Sequence, residues 1–212
     1  MMASIPRIFA RASSIEAMRL IMKRNVIKTA LFLIFPAVFF PFSYSAAQNC
    51  KSSIIASTPD ESFTILDDGT AVNNTTGLMW MRCSLGQTPE KYTCSGQAAL
   101  LSWSDGLKAA ADYEFAGHTD WRLPNKNELE SLVENRCALP AINAAVFPAT
   151  PSAYFWSSSP YAPVAHGAWS VDFGYGAVNA SVKSGVINVR LVRDKETRQM
   201  YAPAPSSEGI KP

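Results

Sequence analysis

The ten residues Asp120-Trp121-Arg122-Leu123-Pro124-Asn125-Lys126-Asn127-Glu128-Leu129 constrain the fold more than any other stretch. Trp121 and Leu123 alternate with Asp120 and Arg122, the period-2 pattern of a half-buried strand. Pro124 stops that strand and biases Leu123 toward extended geometry. Asn125 is a good N-cap, and Glu128 stands three residues on, where its carboxylate can reach back to the cap N–H. Leu129, Leu132 and Val133 then fall at helical spacing and define one apolar face. The stretch predicts a strand end feeding a capped helix that closes near Cys137. Arg122 and Arg190 are expected in buried pairs with Asp120, Asp172 or Glu128.

The chain has 212 residues, but the first 47 read as a leader. Residues 22–28 are basic, 29–42 are an apolar run, and 43–47 are small, with Ser45 and Ala47 suited to the −3 and −1 positions of a cleavage site. The run spans 14 residues and contains Pro36 and Pro41, short of the ~20 that a spanning helix needs. Met22 is a more natural start than Met1, so residues 1–21 read as an over-extended frame. After cleavage no stable membrane span is expected. The mature part keeps 13 of the 19 basic and 16 of the 17 acidic residues. Its charge is thus near −3 rather than the +2 of the whole chain, and the clustered basic face of a nucleic-acid binder is missing.

Four cysteines, Cys50, Cys83, Cys94 and Cys137, survive cleavage. An even number in an exported chain reads as two disulfides, with three connectivities open. The turn-like segment between Cys83 and Cys94 makes a local bridge the least costly choice, which leaves Cys50 for Cys137. The spacings are not those of a zinc site. The Asp67-Asp68-Gly69 and Asn73-Asn74 clusters suit turns better than a calcium loop. No cofactor is implied.

In chain order, residues 48–62 form an N-terminal segment and 63–194 one domain. Short strands are expected at 63–66, 71–72 and 78–81, the first of them able to pair with the last strand of the domain. A helix capped by Ser102 or Ser104 covers 103–113. After the capped helix near 125 comes a long ordered loop, then a buried strand at 154–159. Trp169, Val171 and Phe173 turn at Gly174-Tyr175-Gly176 into Val178, Ala180 and Val182, a hairpin. Ile187, Val189 and Leu191 make a final strand, with Arg190 and Arg193 on its other side. Residues 195–212 are charged and rich in Pro and Ser, the composition of a disordered tail. Two helices among many short antiparallel strands and long ordered loops give an α+β class.

Seven blocks then stand in order: Thr76-Gly77-Leu78-Met79-Trp80; Ala116-Gly117-His118-Thr119-Asp120-Trp121-Arg122-Leu123-Pro124; Glu128-Leu129; Pro140-Ala141-Ile142-Asn143 with Phe147-Pro148; Phe155-Trp156-Ser157-Ser158; Trp169-Ser170-Val171-Asp172-Phe173; and Val189-Arg190-Leu191-Val192-Arg193. Together they resemble the Legionella collagen-like protein C-terminal domain family, a domain of unknown function, over about residues 63–194. The resemblance implies a C-type-lectin-like fold related to the formylglycine-generating enzyme group. It also implies a bacterial surface-adhesion role through sulfated polysaccharides.

The function expected is an exported, non-catalytic binding module in the periplasm, on the cell surface or in the medium. Its ligand class is a polysaccharide or glycoconjugate. The candidate ligand-binding residues lie in the long loop and hairpin tip: Tyr161, His166, Trp169, Tyr175, Asn179 and Lys183. Their aromatic faces can stack on sugar rings, while Asn and Lys can bond hydroxyl or sulfate. The alternative is a structural or assembly subunit that binds a surface protein. An enzyme is disfavoured. Asp120, Glu128, Glu130 and Asp172 each have an ordinary cap, helix-surface or strand role, and no Cys follows Cys137 to serve formylglycine-type chemistry.

Overall fold

A computed structural model describes residues 48–194. The expected leader at 1–47 and the tail at 195–212 lie outside the described residues. The elements in chain order are β1 (Asn49–Cys50), β2 (Phe63–Ile65), β3 (Thr70–Asn73), β4 (Leu78–Met81), β5 (Thr88–Pro89), β6 (Cys94–Ser95), β7 (Leu100–Leu101), α1 (Trp103–Ala111), α2 (Lys126–Glu130), β8 (Cys137–Ala138), β9 (Tyr154–Pro160), β10 (Gly167–Asp172), β11 (Ala177–Val182), β12 (Ile187–Asn188) and β13 (Val192–Asp194). The class is α+β, mostly strands with two helices. A single 3-10 turn at Asp60–Ser62 leads into β2.

One sheet has the order β13-β4-β3-β2 and is antiparallel throughout. A second has the order β11-β10-β9-β12-β7, with β12 parallel to β9, and β1–β8 and β5–β6 form two further two-stranded sheets. The first and last strands of the domain therefore sit at opposite edges of one sheet and do not pair. Trp80 on β4 is opposite both Ala71 and Val192, so β4 separates them.

The single final strand expected from residue 187 onward is two strands, one in each of the two larger sheets. Between them, Val189 O accepts from Leu85 N at 2.9 Å and Leu191 O from Met81 N at 3.1 Å. This segment stitches the sheets together and is buried on both sides, since Arg190 and Arg193 are as inaccessible as Val189 and Leu191.

Alternate residues of the central strands feed two hydrophobic cores. Ala71, Trp80, Phe155 and Val171 join Leu129, Leu132, Phe147 and Phe173 in one. Val72, Met79, Met81, Trp156 and Ala168 join Trp121, Leu123 and Leu191 in the other. Burial of both faces explains why β4 and the start of β9 read as continuous apolar runs instead of alternating ones.

The pivotal stretch folds by its local signals, with two differences. Asn125 Oδ1 accepts from Glu128 N at 3.0 Å, and Glu128 Oε2 accepts from Asn125 N at 2.7 Å, a complete capping box. Ser102 caps α1 through Asp105 N. Residues 121–123 do not form a strand, however. Arg122 makes one antiparallel bridge with Val192, and this pins the segment beside β13. The second helix also ends at Glu130, well before Cys137. The next turn tightens through i to i−3 bonds, Leu132 N to Leu129 O and Val133 N to Glu130 O, so that Leu132 and Val133 are buried from outside the helix. Cys137 instead lies in β8, paired with β1.

Of the expected arginine pairs, Arg122 with Glu128 forms, half-exposed, and Arg190 departs from the expectation. Arg122 pairs bidentately with Glu128, at 2.8 and 2.9 Å, and reaches Asp194 at 3.0 Å. Asp120 is bound by Arg193, and Asp172 accepts from Gly174 N. Arg190 has no carboxylate partner among the described residues. It is wholly buried, donates to Met81 O, Arg82 O and Thr150 Oγ1, and lies 4.9 Å from the Phe147 ring centroid. Desolvation pushes its pKa down to about 9.

Both disulfides are present, Cys83–Cys94 and Cys50–Cys137. The second anchors the β1–β8 ladder. Glu134 anchors the rest of the N-terminal segment from within the fold, being 1 % exposed. It accepts from Ser57 N at 3.1 Å, Thr58 N at 2.9 Å and Arg136 N at 3.1 Å. Burial alone would raise this carboxyl, but the donated bonds outweigh it and hold its pKa below the ordinary glutamate value.

Candidate functional site

The β10–β11 hairpin positions the candidate residues. Its register runs from Gly167 opposite Val182 to Asp172 opposite Ala177, so its two ends lie about 17 Å apart at strand rise. The turn needs Gly176 at φ 78°, where a Cβ would come within 2.6 Å of Val133 Cγ1. Tyr175 projects from this turn, 71 % exposed. Tyr161, His166 and Lys183 are at the other end. Asn179 is between them, opposite Ser170, and its Nδ2 donates to Ala177 O at 3.2 Å. The six candidates therefore do not form one site.

Three of them do come together. The loop between β9 and β10 folds back through Tyr161 N to Gly167 O at 3.0 Å, Val164 N to Tyr161 O at 3.0 Å and Gly167 N to Val164 O at 2.8 Å. Gly167 permits this closeness, because a Cβ there would meet Val164 O at 3.2 Å. Tyr161 and His166, with Val164 and Val182, line a shallow groove of about 140 Å³ beside β11. Trp169, half-buried, stands edge-on to Tyr161 with ring centroids 4.9 Å apart. Lys126, at the first turn of α2, places its Nζ 5.8 Å from the Trp169 centroid and also pairs with Glu130 at 3.0 Å.

Lys183 has a different role. Its Nζ lies 4.5 Å from the Trp103 ring centroid and donates to Ala165 O at 2.9 Å. Its backbone N–H donates to His166 O at 2.8 Å. These contacts make it a strut that holds the loop against α1. Trp103 is fixed in turn by its Nε1 donating to Ser157 O at 2.9 Å.

Lys126 is the site residue that the sequence reading missed. Its only local signal is its place just after the cap, and nothing near it indicates that the helix start meets Trp169. A second concave region was also missed, a cleft of about 430 Å³ between the β2–β3 turn and the segment around Pro89. No helix among the described residues is long and apolar enough to cross a membrane.

Residues 69–193, more than half of the chain, match the family model described as the Lcl C-terminal domain. The match runs from the β2–β3 turn into β13 and contains all six candidate residues. No curated protein matches the chain.

Proposed function

The chain belongs to the Lcl C-terminal domain family, and from that premise we propose that it is an exported, non-catalytic binding module with a C-type-lectin-like fold and a carbohydrate ligand. The observation that carries this reading is the Trp169 cluster. An indole braced edge-on by Tyr161 and flanked by Lys126 sits beside the groove that His166 lines. Such a surface offers an apolar face for the C–H side of a sugar ring, with cationic and imidazole groups beside it for hydroxyl or sulfate oxygens. The two disulfides support an oxidising destination. Four carboxylates weighed for hydrolytic chemistry are each held by a structural partner: Asp120 by Arg193, Glu128 by Arg122, Glu130 by Lys126 and Asp172 by Gly174 N.

The test is a glycan array that includes sulfated polysaccharides, read with the wild type, Trp169→Ala and Tyr161→Ala at matched melting temperature. At least a tenfold loss of signal in both variants is expected. Undiminished binding in both would contradict the assignment of this surface.

A second reading rests on β11, which forms one edge of the five-stranded sheet. Edge strands can accept an extended segment from a protein partner. Under this reading the protein is an assembly or surface-protein-binding subunit, and Val178→Pro, at a β11 position whose N–H faces the open edge, abolishes partner capture while glycan binding persists.

A further inference from the structure

The cleft between the β2–β3 turn and Pro89 is separate from the Trp169 surface. Arg82 lines it and is 8 % exposed. Its Nε donates to Val146 O at 2.9 Å and its Nη2 to Ala145 O at 3.3 Å. Nη1 makes no hydrogen bond among the described residues, and no carboxylate pairs with the guanidinium. A second buried cation is close by, since Arg190 bonds the backbone carbonyl of Arg82 itself and also has no counter-ion there. Arg82 therefore brings positive charge to the lining of the cleft, whereas Arg190 lies behind it.

The rim has the opposite sign. Asp67 and Glu90 are exposed, and their carboxylates have no partner among the described residues. Asp68 serves the turn, with Oδ1 accepting from Thr70 N at 3.0 Å. Lys91 is on the rim too, but its Nζ lies 5.1 Å from the Tyr92 ring centroid instead of in an ion pair. Leu66, Pro89 and Phe115 supply an apolar wall. Gly69 forms part of the lining at φ 87°, where a Cβ would come within 3.0 Å of both Phe115 and Pro89.

We propose that this cleft binds a small zwitterion of the α-amino-acid type, its carboxylate on Arg82, its ammonium toward Asp67 and Glu90, and its aliphatic part against Phe115. A simple anion would meet the rim carboxylates, and a simple cation would meet Arg82. A ligand with both charges satisfies both. A guanidinium is suited to carboxylate because its N–H groups are fixed in a plane. Burial holds Arg82 below the ordinary arginine value with no carboxylate to offset it, as expected of a cation awaiting an anionic partner. The volume is sufficient for an amino acid with its side chain.

The test is an NMR titration of the exported, oxidised protein with L-alanine, sodium acetate and ethylammonium chloride. L-alanine is expected to shift the amides of Leu66, Gly69 and Phe115 saturably, at concentrations at least tenfold below those needed with either of the others. Equal or stronger binding of acetate, or no shift at these amides, overturns the proposal. Arg82→Gln should abolish the alanine response. Because Arg82 also supports the fold, the double variant Asp67→Asn/Glu90→Gln provides an independent arm at exposed positions. It should weaken alanine at least fivefold and leave acetate equal or tighter. Unchanged alanine binding in the double variant overturns the ammonium assignment and with it the proposal.

Discussion

Arg122 and Arg190 show how burial, rather than the presence of a carboxylate, decides what an arginine contributes. Arg122 has an excellent bidentate partner, but its side chain is 38 % exposed, so solvent screens the pair. Arg122→Ala should cost about 1 kcal/mol, and the domain should remain folded. Arg190 has no ionic partner, yet it satisfies two backbone carbonyls and the Thr150 hydroxyl within the fold. Arg190→Met removes the guanidinium donors from the Met81 and Arg82 carbonyls, while Thr150 keeps its bond to Phe147 O, and should cost about 3 kcal/mol or more. Urea unfolding of the two variants checks the ranking, and a larger loss in Arg122→Ala would reverse the assignment. Glu134 gives a residue-level dependence on pH. Its folded-state pKa is depressed, so its stabilisation is fully present above the unfolded-state value of about 4.3 and is lost as pH falls through the lower folded-state value. Amide exchange at Ser57 and Thr58 should accelerate in that acid window ahead of global unfolding. Glu134→Gln should remove the pH step, whereas a step of the same size in the variant would assign it to another group.

At the scale of elements, the parts legible in the sequence are those set by short-range chemistry. The Asn125–Glu128 capping box, the Ser102 cap and the β10–β11 hairpin with its Gly-containing turn are all encoded within a few residues. The local Cys83–Cys94 bridge was legible for the same reason. The end of α2 was not, because Leu132 and Val133 keep helical spacing while the chain tightens and Glu134 turns inward to receive the N-terminal segment. The final strand was misread because its alternation predicts one wet face, whereas both faces are covered and its halves join different sheets. The two disulfides should differ in energetic weight. Cys50–Cys137 has a sequence separation of 87 and Cys83–Cys94 one of 11, so loop-closure entropy predicts about 4.5 against about 3 kcal/mol. Paired Ser variants compared by urea unfolding test this. A larger cost for the short loop would mean that native-state contacts at the bridges outweigh the chain-entropy effect.

At the scale of the molecule, two sheets share a stitched segment and enclose two cores, and this places the hairpin end and the Arg82 cleft on separate surfaces. Residue type was enough to propose Tyr161, His166 and Trp169. It could not show that Tyr175 projects from the far end of the hairpin, or that Lys183 is occupied by Trp103. Those outcomes depend on register and on contacts between remote segments. Lys126 and Arg82 carried no local signal, since each acquires its setting only when the chain closes. The most direct measurement is binding of the oxidised protein to a glycan array containing neutral and sulfated polysaccharides, at low and at physiological salt. A specific signal is expected that is lost in Trp169→Ala, and that falls with salt where the ligand is sulfated. A blank array from folded, disulfide-bonded protein would contradict the carbohydrate-binding role and favour a protein partner at the β11 edge.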